Sequence, residues 1–176
     1  QIWLRPNLNV THYCNGDPIP KVTDPTTWGA LTTGAYCYYN NDSATYAATY
    51  GKLYNWYAVN TQKLCPVGWH VPTKDEITTL IFNFAGDKLA GGKLKETTTT
   101  HWQSPNEGAS NSTGFTALGG GFRDVDGSFK SLMVIGGYWS STKYNDISAH
   151  MLELGYNSQG ATTSLFNLKA GVTVRC

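Results

Sequence analysis

The chain has 176 residues, enough for one sizeable core, and its 13 Lys+Arg against 12 Asp+Glu leave a formal charge of +1. That balance, without any dense run of Lys or Arg, argues against a nucleic-acid partner. Only 14% of residues are charged while 13% are aromatic and 19 are Gly, so turns and buried rings must order the chain more than long amphipathic helices do. This is the composition of a loop-rich extracellular fold. No apolar run approaches the roughly 20 residues that cross a bilayer. The N-terminus lacks a charged n-region and an apolar h-region, so any secretion signal is expected to have been removed already. A single domain over residues 1–176 is expected.

In chain order, Gln1-Ile2-Trp3-Leu4 reads as a short apolar strand. Asn15-Gly16-Asp17-Pro18-Ile19-Pro20 is too dense in turn formers for regular structure. Ala35 to Tyr39 has the propensity of a half-buried strand, and Asn40 to Ser43 that of a loop. Tyr50, Leu53, Trp56 and Tyr57 fall at helical spacing and predict a helix over Thr49 to Val59, its aromatics turned to the core.

The stretch Cys65 to Glu76 combines three devices: a covalent anchor at Cys65, a short extended piece Gly68 to Val71 carrying Trp69 into the core, and a helix start. Pro72 ends the strand, having no N–H for a ladder. Thr73 and Glu76 have the spacing of a capping box, so a helix should begin at Lys74. Ile77, Leu80, Ile81 and Phe84 continue it, and Gly86 stands where a C′ glycine belongs. Ala90 to Lys95 reads as a short strand. Thr97 to Thr113 is a long polar segment, of the kind that is either functional or mobile.

The last third has a different texture. Phe115 to Arg123 leads into an Asp124-Val125-Asp126-Gly127 turn, and Tyr138–Thr142, Ala149–Leu154 and Gly171–Cys176 are strand candidates of an antiparallel meander. In the middle strand His150, Leu152 and Leu154 alternate with Met151 and Glu153. Trp139 reads as core, because a Trp inside a strand buries most of its area.

The four cysteines, at 14, 37, 65 and 176, include no C-x-x-C pair and no His at metal-ligand spacing, which favours disulfides over zinc. Four half-cystines allow three connectivities, and spacing alone does not choose among them. The pairing expected is Cys14–Cys37 with Cys65–Cys176, a short local loop beside one that closes the C-terminal two-thirds.

No G-x-S-x-G elbow is present, and the His residues at 12, 70, 101 and 150 have no carboxylate at suggestive spacing, so no enzyme and no cofactor are expected. Asp124-Val125-Asp126-Gly127-Ser128 begins like a calcium loop, but its sixth and twelfth positions hold Phe129 and Ile135 instead of Gly and Glu. A hairpin turn is expected there, and no metal is.

Tyr50 to Val59, Cys65 to Thr73, Gly114 to Arg123, Tyr138 to Thr142 and the closing Val174-Arg175-Cys176 together resemble the Fibrobacter succinogenes major paralogous domain. With Trp3 to Asn9 and Asn15 to Pro20, the resemblance spans essentially the whole chain. That family occurs in secreted and surface lipoproteins of Bacteroidetes and Fibrobacteres, and is similar to C-type-lectin-like and formylglycine-generating-enzyme domains. The resemblance implies an α+β, C-type-lectin-like domain with two helices and a twisted antiparallel sheet, loop-rich and disulfide-bonded. It carries over no activity, because formylglycine-generating enzymes use a close pair of C-terminal cysteines and only Cys176 stands there. Nor does it carry over calcium: Pro105-Asn106-Glu107 and Tyr144-Asn145-Asp146 only echo the lectin motifs.

In lectin-like folds the loops before the last strand present the ligand surface. The matching region here, Trp139 to Phe166, offers Tyr144, Asn145, Asp146, His150, Tyr156, Asn157 and Phe166, rings and amides of the kind found in paratopes and sugar sites. Two functions follow as expectations. One is an extracellular or outer-membrane-surface adhesin module that binds a glycan or protein ligand; the other is a structural or assembly module of an envelope lipoprotein or pilus-like polymer. Cys65 to Glu76 is then a scaffold clasp, with His70 on a strand and function at the opposite end of the chain.

Overall fold

The computed structural model describes residues 1–176. Its first half is a series of short elements, and a side-chain cap starts each of its first three α-helices. Asp24 accepts from Thr27 N–H to open α1 (Pro25–Ala30). β1 (Tyr36–Cys37) is followed by a 3-10 turn at Tyr39–Asn41, and Asp42 then caps α2 (Ser43–Tyr50). β2 (Leu53–Tyr54) pairs antiparallel with β1, and Asn55 caps α3 (Trp56–Asn60). The helix expected over 49–59 is therefore three elements. Gly51, at φ +71°, ends α2, and Tyr54 then exchanges backbone hydrogen bonds with Val172, which holds the chain extended where spacing alone predicts a helix.

α4 (Lys74–Asn83) starts as expected. Thr73 Oγ1 accepts from Glu76 N–H at 3.2 Å, and Glu76 Oε2 accepts from Thr73 N–H at 2.8 Å. Ile77, Leu80 and Ile81 are buried, and Gly86, at φ +75°, donates its N–H to Ile81 O at 3.0 Å. α5 (Ala90–Leu94) replaces the strand expected there. Its glycines serve close packing, not extension: a Cβ on Gly91 would lie 1.8 Å from Gly160 O.

β3 (Gly120–Arg123) and β4 (Phe129–Leu132) form the hairpin expected around the Asp-Gly turn, with Arg123 opposite Phe129. β5 (Ile135–Lys143), β6 (Ser148–Gly155) and β7 (Ala161–Asn167) make an antiparallel sheet in the order β5-β6-β7. β7 falls in a region read from sequence as ligand loops, since the uncharged Ala-Thr-Thr-Ser-Leu-Phe-Asn lacks an apolar alternation. The alternation expected on β6 is present, but both faces are covered. Trp139 and Met151 belong to a core with Trp56, Val59 and Leu64, while Tyr138, Leu152 and Leu154 belong to a second with Ile77, Leu80 and Trp102.

Gly171–Cys176 does not close a meander. Thr173 lies parallel to Tyr138 on the far side of β5, Gly171 pairs with Arg123 and Val172 with Tyr54. The N-terminal residues are extended without forming a strand; Leu4 N–H donates to Cys176 O at 2.7 Å. The molecule is thus α+β, with five α-helices where the resemblance implies two and three small antiparallel sheets in place of one twisted sheet.

Cys65 and Cys176 are bonded as expected, but Cys14 and Cys37 are free. Cys14 sits exposed in a loop whose backbone bonds Lys63 O, whereas Cys37 on β1 is sealed into a third core with Trp28, Tyr39 and Leu53. Burial raises the Cys37 thiol to about 12, so it is an inert packed group.

Lys95 is fully buried, and its Nζ donates to the carbonyls of Glu107, Gly155 and Ser158 at 2.9–3.0 Å. It thereby ties the long polar segment to the β6–β7 turn. Burial lowers its pKa to about 8, against a smaller pull upward from Glu107. Lys95→Met keeps the volume and strands three acceptors, so chemical denaturation should show a loss of about 3–5 kcal/mol. Cys65 and Cys176 are 111 residues apart, and opening so long a loop by reduction should lower stability by about 3–5 kcal/mol in the same assay.

Candidate binding surface

The capping box that starts α4 also builds one end of the sheet. Ser141 N–H donates to Pro72 O at 2.8 Å and Lys74 N–H to Thr142 Oγ1 at 2.9 Å, so the end of β5 is fastened to the start of the helix. Two features share this end: the β5–β6 turn and a cleft beside the disulfide.

In the turn, Tyr144 and Asn145 N–H both donate to Ser148 O. Asn145 Oδ1 accepts from Ile147 N–H, Ser148 N–H and Ser148 Oγ at 2.8–3.0 Å, so Asn145 holds the turn and has no free acceptor to offer. Asp146 pairs with Lys143 at 2.8 Å, and that ammonium lowers its carboxyl pKa. Tyr144 is 60% exposed and meets His150 edge-on, with ring centroids 5.6 Å apart. His150 Nδ1 is buried without a partner, and burial, followed by the charge of Lys74, lowers its pKa. Leu165, opposite His150 on β7, extends this surface.

Three other residues expected at the site lie elsewhere. Phe166 sits on the opposite face, against Phe122 at 4.8 Å and Trp139 at 6.3 Å. Tyr156 and Asn157 lie just beyond β6 at its far end, roughly 20 Å from His150 along the strand. Tyr156 O accepts from Glu107 N–H at 2.7 Å and its ring packs on the second core, while Asn157 is exposed. The turn residues are thus grouped, and the β6–β7 residues are separate from them.

The cleft, of about 390 Å³, was not legible as a site. It lies between the N-terminal residues and Gly68–Pro72, and Trp3, Trp69, His70, Glu76, Gln1 and Cys176 line it. Trp69, expected in the core, is half-buried: it packs against the first core and also borders the cleft. Trp3 stands edge-on to Phe115 at 5.6 Å, its Nε1 buried without a partner. His70 lies on extended backbone that joins no strand, and its Nε2 is 2.9 and 3.1 Å from the two Glu76 oxygens. Gln1 Nε2 donates to Glu76 O at 3.0 Å. One carboxylate therefore caps a helix and orients an exposed imidazole, whose other nitrogen is left for a ligand. Trp69 follows Cys65 closely and Trp3 precedes Leu4, whose N–H donates to Cys176 O, so it is the disulfide that brings the two rings together, and no local sequence signal marks the cleft.

No group of three or more His, Cys, Asp or Glu side chains is placed to hold a metal. The carboxylates of the β3–β4 turn face Lys130, Asp124 at 2.5 Å and Asp126 at 4.0 Å. No helix is long and apolar enough to cross a membrane.

Burial pushes the Glu76 carboxyl upward, but Thr73 N–H and His70 outweigh it and hold the pKa below its ordinary value of 4.5. Because the folded value is depressed, the contribution of Glu76 is complete above pH 4.5 and is lost as pH falls through the lower folded value. Thermal melts between pH 7 and 3 should show that loss in the parent protein, and Glu76→Gln should flatten it.

A family model described as the Fibrobacter succinogenes major domain matches residues 1–176, and the chain belongs to that family. Searches of curated proteins and of solved structures find no match.

Proposed function

We propose that this member of the family is a non-catalytic recognition module of the extracellular or outer-membrane surface, built on a C-type-lectin-like scaffold, that binds a saccharide at the α4 end of the sheet. The observation that carries the reading is the cleft in which Trp3 and Trp69 border a His70–Glu76 pair. A sugar ring has an apolar C–H face and a rim of hydroxyls. Indole faces match the first, and an oriented imidazole and the Gln1 amide match the second. Tyr144, 60% exposed beside His150, extends the same end of the molecule with another ring. A lectin-like scaffold is supported by the capped helix before the sheet and by the final segment meeting the N-terminal residues. Surface location is supported by the Cys65–Cys176 disulfide, a bond that persists in oxidising compartments. For catalysis, His70 would need a nucleophile in reach, and no Ser or Cys side chain hydrogen-bonds it.

A glycan array followed by calorimetry tests this reading. Trp69→Ala should weaken saccharide binding about tenfold or more, as loss of a stacked ring does. Tyr144→Ala should have a smaller effect, and Tyr156→Ala, at the far end of β6, none. Silence of the folded protein across the array, or binding that depends on Tyr156 and not on Trp69, would remove the cleft from consideration.

A further inference from the structure

The three-stranded sheet has one closed edge and one open edge. Beyond β5, Trp139 N–H donates to Thr173 O at 3.0 Å, and the C-terminal segment continues the sheet. Beyond β7 no strand follows. Ala161 N–H donates outward to Asp87 O, whereas Leu168 N–H donates inward to Ile147 O, the residue before β6. Alternation then turns the backbone of Thr163, Leu165 and Asn167 outward with that of Ala161. Asn167 O is already taken by Ala170 N–H at 2.9 Å. Thr163 and Leu165 are left with a free N–H and C=O each, and no side chain supplies a partner.

Edges of this kind are normally blunted by Lys, Pro, a bulge or a cover. Ala161–Asn167 contains no charged residue and no Pro, and its register with β6 runs without a shift. On α4, Ile77, Leu80 and Ile81 turn to the core, and helical geometry points Phe82 away from them into solvent. Phe82 is 79% exposed and Leu165 is 45% exposed.

We propose that β7 is a docking edge for a second copy of this chain, the two β7 strands pairing antiparallel across a two-fold axis. Thr163 of each copy faces Leu165 of the other, and the two Ser164 stand side by side. Each Thr–Leu pair exchanges both N–H···O bonds and joins the sheets into one. The free groups select this register: a shift one way needs the N–H of Ala161, held by Asp87, and a shift the other way needs the carbonyl of Asn167, held by Ala170. Identical uncharged strands place no like charges opposite one another, and a two-fold pairing closes on itself. No residue of β7 lines the cleft that carries the saccharide reading; Leu165, which also borders the Tyr144–His150 surface, is the one residue common to the two, and association is measured without saccharide.

Sedimentation of the Cys14→Ser protein, which cannot dimerise through its exposed thiol, tests the proposal. Expected are a reversible, concentration-dependent dimer and slowed amide exchange at Thr163 and Leu165 as it forms. Leu165→Lys should weaken association about tenfold or more while leaving the thermal melt unchanged at dilutions where the parent is monomeric. Ser164→Cys should give a disulfide-linked dimer on air oxidation, since directly opposite residues bring Cα atoms to about 4.5–5.5 Å. A monomer at every concentration with freely exchanging Thr163 and Leu165 amides would overturn the proposal. So would a dimer indifferent to Leu165→Lys, or a monomer whose edge takes up only unrelated extended peptides.

Discussion

Tyr54 and Val172 exchange both backbone hydrogen bonds, at 2.9 and 3.0 Å, and the strand that Val172 belongs to touches nearly every other part of the molecule. Gly171 exchanges the same pair with Arg123, Thr173 O accepts from Trp139, Val174 O from Leu8 and Cys176 O from Leu4. Gly171 to Cys176 thus has a different neighbour at almost every residue, which is why it forms bridges and no regular ladder. The contacts with Tyr54, Leu8 and Leu4 join segments more than 100 residues apart, so the disulfide at its last residue constrains the part of the fold with the greatest loop-closure cost.

Around that strand the chain solves a problem that loop-rich folds share. Short elements leave many carbonyls facing inward, and a buried acceptor without a donor is costly. Here buried cations supply donors in bulk. Lys95 serves three carbonyls; Arg123 donates to the carbonyls of Val22, Thr23 and Gly127 while its guanidinium lies 4.5 Å from the Trp28 ring centroid. Arg175 donates to Phe115 O and to Asn7 Oδ1, with its guanidinium 4.2 Å from the Phe115 ring centroid. Lys52 donates to Asn9 O and Oδ1 between Tyr36 and Tyr38. None of the four forms a salt bridge with a carboxylate. Carbonyls and aromatic faces share the charge instead, and this explains how a chain so rich in rings keeps four of its 13 Lys and Arg inside.

What could be read in the sequence was local. The capping box at Thr73, the apolar spacing of α4 and the Asp-Gly hairpin depend on neighbours a few residues away, and each is present. Failures came where a distant partner decides. Tyr50 to Tyr57 has helical spacing, but Val172 draws Tyr54 into a strand. Ala90 to Leu94 coils because Gly160 and Gly108 press against its glycines. β7 has no alternation because its outer edge and part of its face are open, and Cys14 and Cys37 belong to different neighbourhoods that spacing cannot distinguish. The candidate site divides in the same way. Tyr144, Asn145, Asp146 and His150 are close in sequence and in space, whereas joining Trp3 to Trp69 requires the pairing of Leu4 with Cys176.

The cleft and the clasp are therefore one construction. Cys176 lines the cleft, Glu76 both caps α4 and orients His70, and Pro72 O fixes the end of β5 beside them. Groups that stabilise the fold are the same groups that hold the rim in place, so this end of the molecule is preorganised: a ligand arriving there meets side chains already fixed and has little ordering entropy to overcome. The β7 edge is the opposite case. Nothing in the fold depends on the outward groups of Thr163 and Leu165, so a partner can add there without disturbing the core, and can leave again at equally little cost.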